Sequence, residues 1–252
     1  MVRPYRLSRT WPRRKLEEAT VRKVVTDQAD GLRRLMASSP GRLVAVVGSG
    51  PAVGVTSVTL NLAAALVQQG QDVLLLDERS GAQSTQAQRE GRLVLIDAVL
   101  DKEGALSPLA AQADNVLVVL QPNAASITAS YACIKRLHYA HALQRLRVLV
   151  NYATDAAEAQ RILANLAHTG SRYLALALEP AGCVRADPRL AQARRLNLTV
   201  VEAFQTSPAA MDFRQIASDL LQWPWRPPGG RAPSLLPFVA ASHEASPVLE
   251  MH

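Results

Sequence analysis

Cysteine is almost missing from this chain: Cys133 and Cys183 are the two among 252 residues, too few for a disulfide framework. Cys133 falls in a helical pattern and Cys183 beside a glycine, so both read as reduced structural thiols of a cytosolic protein. Aromatic residues make up 4%, and they are not interleaved with basic ones as in a nucleic-acid-binding surface. No apolar run nears the roughly 18 residues of a membrane span. The N-terminus is basic but has no hydrophobic core behind it, so it does not read as an export signal. Acidic residues are scarce at that end. Residues 1–26 hold Glu17 and Glu18 against eight basic groups: Arg3, Arg6, Arg9, Arg13, Arg14, Lys15, Arg22 and Lys23. This arm carries +6 of the formal net charge of +7, leaving the remainder nearly neutral. The high isoelectric point therefore belongs to an arm and does not identify a nucleic-acid-binding domain.

What is present is a core-forming composition, 48% hydrophobic, with length for one sizeable domain and tails. Behind the basic arm, Asp27–Met36 reads as a short helix with Ala29, Leu32 and Met36 on one face. Thr26 is placed to cap it and Asp27 suits its first turn, while Gly31 weakens it. Ser38-Ser39-Pro40-Gly41 is a linker. The body then alternates. Strand-like runs occur at Leu43–Val47, Val73–Leu76, Leu93–Ile96, Val116–Leu120, Leu146–Val150, Tyr173–Leu178 and Leu198–Val201. Helical patterns lie at Thr56–Gln69, Ala105–Ala111, Ser126–Leu143, Ala156–Ala167, Pro188–Arg195 and Pro208–Gln222. Such alternation predicts an α/β fold, a three-layer parallel sheet with helices on both faces. Ligands of such sheets bind at the C-terminal ends of the strands. The expected organisation is a basic flexible arm (1–26), a helix and linker (27–41), an α/β domain (42–222) and a Pro-rich flexible tail (223–252). The tail's apolar cluster of Leu235, Leu236, Phe238 and Val239 is interrupted by Pro237 and poor in charge, which argues against a membrane anchor.

The most informative stretch is Leu43–Thr59, LVAVVGSGPAVGVTSVT. An apolar strand turns through a Gly-rich segment into an apolar-periodic helix, the frame of a phosphate-binding loop. In that loop, G-x-x-x-x-G-K-[ST], the Lys neutralises terminal phosphates and the hydroxyl ligates magnesium. Gly54 and Thr56 stand in their places, but Val55 occupies the Lys position and Ser49 that of the first Gly.

This strand–loop–helix, the next strand ending in Asp77, and VLVVLQPNAASITASYACIKRL (Val116–Leu137) are together similar to the MinD/ParA class of deviant P-loop ATPases. DQADGLRR (Asp27–Arg34) resembles the N-terminal DQAxxLR helix of that family's FlhG/FleN branch, regulators of flagellar number. Val150-Asn151 and Thr206-Ser207-Pro208 fall where the family has its adenine-side Asn and an SP motif. The likeness spans residues 27–222. It implies a P-loop NTPase fold and ATP or ADP with Mg2+ as cofactor. The cofactor positions would be Gly50, Gly54, Thr56, Ser57, Asp77, Asp97 and Asn151, with Thr56 and Asp77 on the metal and Asp187 in the loop over the base. It further implies that Asp27, Gln28, Ala29, Leu32 and Arg33 engage an FlhF-type GTPase, with flagellar assembly or transcription factors and a homodimer as other partners. Membrane association is expected to be weak or absent. A nucleic-acid partner held by the basic arm is a third reading, but no DNA-reading motif supports it.

The departures from the family pattern decide the expectation. Gly50 stands where the family has its signature Lys, and Val55 replaces the second Lys. Pro51 and Ala52 replace two glycines, and Pro51 removes a backbone N–H from the anion nest. Arg79 replaces the Asp that orients the attacking water, and the short Asp77–Asp97 span implies that the switch and dimer-contact region is largely deleted. Each missing Lys forfeits about 1.5–3 kcal/mol of charge-assisted hydrogen bonding, about tenfold in binding and on the order of 10²–10³ in rate. The expectation is a cytoplasmic regulator that docks through its N-terminal helix, with no catalytic residue and with nucleotide binding weakened or lost. The alternative is an active MinD/ParA-type ATP-hydrolysing switch in which Arg79 or Arg185 supplies the missing charge. Plainer readings stay open: Asp77 and Asp97 as strand-end caps, Thr56 as a helix-start residue, and Asn151 as a turn former. His138 and His141 read as solvated helix residues.

Overall fold

The computed structural model describes residues 42–80, 83–85 and 92–225, with residues 83–85 described by their backbone. The basic arm, the expected helix at Asp27–Met36 with the linker after it, and the tail from residue 226 onward lie outside the described residues.

The apolar runs at 43–47, 93–97 and 115–120 are buried on both faces, as in a parallel sheet covered by helices. β1 (Arg42–Gly48), β2 (Val73–Asp77), β3 (Gln83–Thr85), β4 (Leu93–Asp97), β5 (Asn115–Leu120), β6 (Arg145–Ala153) and β7 (Ala177–Arg185) follow in chain order. They form a seven-stranded sheet in the order β3-β2-β4-β1-β5-β6-β7. Six strands are parallel, and β3 adds an antiparallel edge against β2. One face carries α1 (Val55–Gln68), α5 (Val200–Ala203) and α6 (Pro208–Leu221). The other carries α2 (Ala124–His141) and α3 (Ala156–Leu174), and α4 (Pro188–Arg195) joins β7 to α5.

The core on the α1 side interleaves Leu62 and Leu66 of α1 with Phe213, Ile216 and Leu220 of α6 above Val44, Val46, Leu95 and Leu117. Truncating one such fully buried side chain costs about 2–5 kcal/mol. The body continues through its last described residues. Trp223 is buried with the Arg147 guanidinium 4.2 Å from its ring centroid, and Asn115 donates to the Pro224 carbonyl at 3.1 Å.

The structure departs from the sequence expectation at four elements. Tyr173 and Leu174 end α3 instead of opening a strand, because Leu166, Gly170 and Leu174 continue one buried helical face. Ala175 then takes a left-handed conformation, the Leu176 N–H returns to the Gly170 carbonyl, and β7 starts at Ala177. Val200 and Val201 are helical, because Thr199 and Glu202 form a capping box around them. Ala105–Ala111 is mostly loop, with a 3-10 turn at Ala110–Gln112. β3 is three polar residues, too short for periodicity to reveal.

Candidate functional site at the strand ends

Parallel pairing places every sequence-predicted position of the body at one edge of the sheet. Val46 and Asp77 are both in register with Asp97, so the loop after β1 lies beside the two carboxylates at the ends of β2 and β4. Asn151 lies near the end of β6, two strands away on the other side.

The loop is closed by apolar and backbone contacts. Ser49 N–H donates to the Val119 carbonyl at 3.0 Å. Gly50 is half-buried, and a side chain added there would meet nothing nearer than Ala129 Cβ at 3.9 Å. The loss of Lys at position 50 is therefore not imposed by crowding. Ala52 takes φ 57°, and the Gln121 side chain holds its carbonyl at 2.9 Å. Val53 and Val55 are buried, with methyl carbons 3.0 and 2.6 Å from where a Cβ on Gly48 would lie. The side chain in the Lys position thus packs down onto the end of β1 and joins the core. Gly54 begins α1 at φ 88°, and a Cβ there would fall 2.5 Å from Asn151 Nδ2, so only glycine fits.

The metal side keeps more of its expected chemistry. Thr56 Oγ1 donates to Asp97 Oδ2 at 2.5 Å. Asp97 is 2% exposed and its Oδ1 has no hydrogen-bond partner among the described residues. Burial pushes its carboxyl above the ordinary value, with the Thr56 hydrogen bond opposing. Asp77 differs: it accepts Ser80 Oγ at 2.6 Å and the Arg79 N–H at 2.9 Å, closing its own turn. The Ser80 hydrogen bond leads in holding its carboxyl below the ordinary value. Ser57 lies in the first turn of α1, where its carbonyl accepts from Asn61.

Thr56 and Asp97 fit one end of a magnesium site. The phosphate end does not fit, because among the described residues no Lys lines the loop, Pro51 withholds an N–H, and Val55 is buried in the core.

Asn151 is turned toward the loop. Its amide donates to the Val53 carbonyl at 2.8 Å and its oxygen accepts the Tyr152 N–H at 3.1 Å, at 2% exposure. That geometry matches a turn former and clamp. Asp187 accepts from Arg189 N–H at 2.8 Å and Ala209 N–H at 3.2 Å, capping α4 and fixing the start of α6. Arg185 does not face the loop: its Nη2 lies 2.7 Å from Asp212 Oδ1 in a multi-point pair. Arg79 lines the open groove beside the loop together with Tyr152 and Asp187.

Sequence reading missed Gln121, Tyr152 and Glu78. Gln121 reaches the loop from 69 positions away, and Glu78 accepts from Val99 N–H at 2.9 Å and Ser107 Oγ at 2.5 Å. No local signal marks such pairs. His141, read as solvated, accepts the Leu106 N–H at 2.8 Å. Asp27, Gln28, Ala29, Leu32 and Arg33 lie outside the described residues. Cys133 is buried and free, its thiol pushed up to about 11 by burial, and Cys183 is free and partly buried. Among the described residues no His, Cys, Asp or Glu group is clustered to hold a metal on its own, and no helix is long and apolar enough to cross a membrane.

No protein-family model matches the chain. Antiactivator FleN of Pseudomonas aeruginosa is 27% identical over 77% of this chain and 91% of its own length. The MinD cell division protein of Aquifex aeolicus superposes with a TM-score of 0.56 at 16% identity, over 74% of this chain and all of the other. The septum site-determining protein MinD complexed with Mg-ADP from Pyrococcus horikoshii gives a TM-score of 0.51 at 15% identity, over 71% and 96% of the two chains. At such identities the solved structures establish the fold.

Proposed function

We infer that this chain, a FleN/FlhG-like member of the MinD/ParA family, regulates flagellar number or placement through protein contacts rather than by turning over ATP. The observation that carries the second half is Val55, buried in the loop at the position of the phosphate-binding Lys. The first half is supported by the likeness to an antiactivator and by DQADGLRR at Asp27–Arg34. In this reading the N-terminal helix docks on an FlhF-type GTPase in the cytoplasm. Asp27 and Gln28 reach the partner's nucleotide side, and Leu32 and Met36 pack into a groove. Flagellar assembly or transcription factors are the other candidate partners.

The P-loop frame then serves as a fold, with ATP or ADP bound weakly or not at all. A structure of related fold holds Mg-ADP, but here the loop is fastened by its own chain, through Gln121 and Asn151.

The test is a pull-down of the full chain with the GTPase, comparing wild type with Gln28→Ala/Leu32→Ala. Loss of capture in the double variant is expected, and equal capture overturns the reading. ATP hydrolysis that disappears in Thr56→Ala would establish the enzymatic switch in its place.

A further inference from the structure

We propose that Glu78 is the positioning residue that holds the loop between β4 and β5 in place without a ligand, so that the face this loop presents is fixed by the chain itself. The inference deepens the reading above, on which it rests for its consequence. A regulator that works through protein contacts then shows partners the same face whether or not nucleotide is present.

The loop leaves β4 directly after Asp97, at the strand end that carries the candidate site. It runs to Asp114 and contains only the 3-10 turn at Ala110–Gln112. A connection of that length without regular structure needs something to order it. The Glu78 N–H donates to the Asp97 carbonyl at 3.1 Å, just past the last strand pair of β2 and β4, Asp77 with Asp97. The side chain then turns onto the loop. One carboxylate oxygen accepts the Val99 N–H at 2.9 Å, and the other accepts Ser107 Oγ at 2.5 Å. Ser107 Oγ in turn accepts the Ala110 N–H at 3.1 Å, where the turn begins. One side chain thus joins the entry of the loop, its middle and the end of β2.

A carboxylate suits this place because it only accepts, and it offers one oxygen to each of two donors that lie apart in the chain. The rest of the loop is built around these points. The Asp101 N–H donates to the Ala105 carbonyl at 3.0 Å and Asp101 Oδ1 accepts the Ala105 N–H at 2.7 Å, which closes the crest. Gly104, at φ 86°, is buried where a Cβ would fall 2.8 Å from Arg136 Cβ, so the crest seats on α2. Leu106 and Ala110 are buried. All of these partners belong to the chain. Outward the loop shows Val99, 41% exposed, and the exposed side chains of Asp101, Lys102 and Glu103.

The experiment reads amide hydrogen exchange of the full chain, residue by residue, with and without 1 mM MgATP. It uses no GTPase. Glu78→Ala is expected to speed exchange at Val99, Leu106 and Ala110 at least about tenfold, through the loss of two hydrogen bonds to a charged group. Val118 of β5 and Val148 of β6 are expected to keep their wild-type rates. Glu78→Gln removes the same charge but keeps an oxygen for the Val99 N–H and an amide for Ser107 Oγ. It is expected to restore protection to within about threefold of wild type. MgATP is expected to leave the wild-type rates at the three loop amides unchanged.

Wild-type exchange at those amides in Glu78→Ala overturns the proposal. So does acceleration shared equally by Val118 and Val148, which would make Glu78 a contributor to global stability alone. Glu78→Gln as fast as Glu78→Ala would assign the effect to charge beside Asp97 and also overturn it. Wild-type protection at Val99 that rises with MgATP would hand the loop to the nucleotide, with the same result. A raised Tm in MgATP with Val99 unchanged would overturn only the weak nucleotide binding read above, and would support the strut.

Discussion

Asn151 concentrates the residue-scale argument. Its amide satisfies a carbonyl of the loop at 2.8 Å and lies where any side chain on residue 54 would have to go. Asn151→Ala leaves the Val53 carbonyl without its donor, a loss of about 1–3 kcal/mol. Urea denaturation should show the midpoint falling with the slope unchanged, and amide exchange of Val53 and Gly54 should accelerate. A variant that lost nucleotide affinity while keeping full stability would instead restore Asn151 as a base reader. The strand-end positions of Asn151, Asp77 and Asp97 and the helix-start position of Thr56 were legible in the sequence, since apolar runs end or begin there. Their partners were not. Asp77 and Asp97 look alike along the chain, yet Asp77 closes its own turn and Asp97 is buried against Thr56, with one oxygen lacking a partner among the described residues. Environment separates them, and environment is tertiary.

At the scale of elements, the loop between β4 and β5 is held from two sides and by a turn of its own. Glu78 accepts from Val99 and Ser107, Asp101 accepts from Ala105 N–H, and His141 of α2 accepts from Leu106 N–H. The last bond requires an unprotonated nitrogen. Burial holds the His141 imidazole below its ordinary value of 6.5, and the nearby Asp101 carboxylate opposes that shift. For a base lowered in the folded state, this contribution is fully present above pH about 6.5 and is lost as pH falls through that value toward the lower folded one. Protection of the Leu106 amide, expressed as an opening free energy from hydrogen exchange, should fall as pH is lowered below about 6.5. His141→Gln should remove the pH dependence. The strands and long helices of this body were legible because periodicity marks them. The errors came at short apolar runs, where Tyr173–Leu174 and Val200–Val201 could be strand or helix. A capping box and a neighbouring helix decided both.

At the scale of the whole molecule, the question is whether the P-loop frame binds its ligand. Binding stabilises the fold by RT ln(1 + [L]/Kd), so a site with Kd of 1 mM or weaker gives at most roughly 0.4 kcal/mol at 1 mM nucleotide. For a domain of this size that is under about 2 °C in Tm. A micromolar site would give about 4 kcal/mol and a shift several times larger. Thermal melting with and without 1 mM MgATP is expected to fall in the first range, and a large shift abolished by Thr56→Ala would revive the switch. The fold class was readable because apolar runs alternating with helices leave a parallel sheet few alternatives. Of the seven runs marked in the sequence, the one at 198–201 is nevertheless loop and helix, and the one at 173–178 begins as a helix end. The missing lysines were equally plain, because absence at a motif position is a local fact. Only the tertiary structure could show that Val55 packs into the core beneath the loop and that Arg185 belongs to Asp212. Periodicity and composition are carried by neighbours in the chain. These contacts join residues brought together only when the sheet closes, and their burial and partners come into being with it.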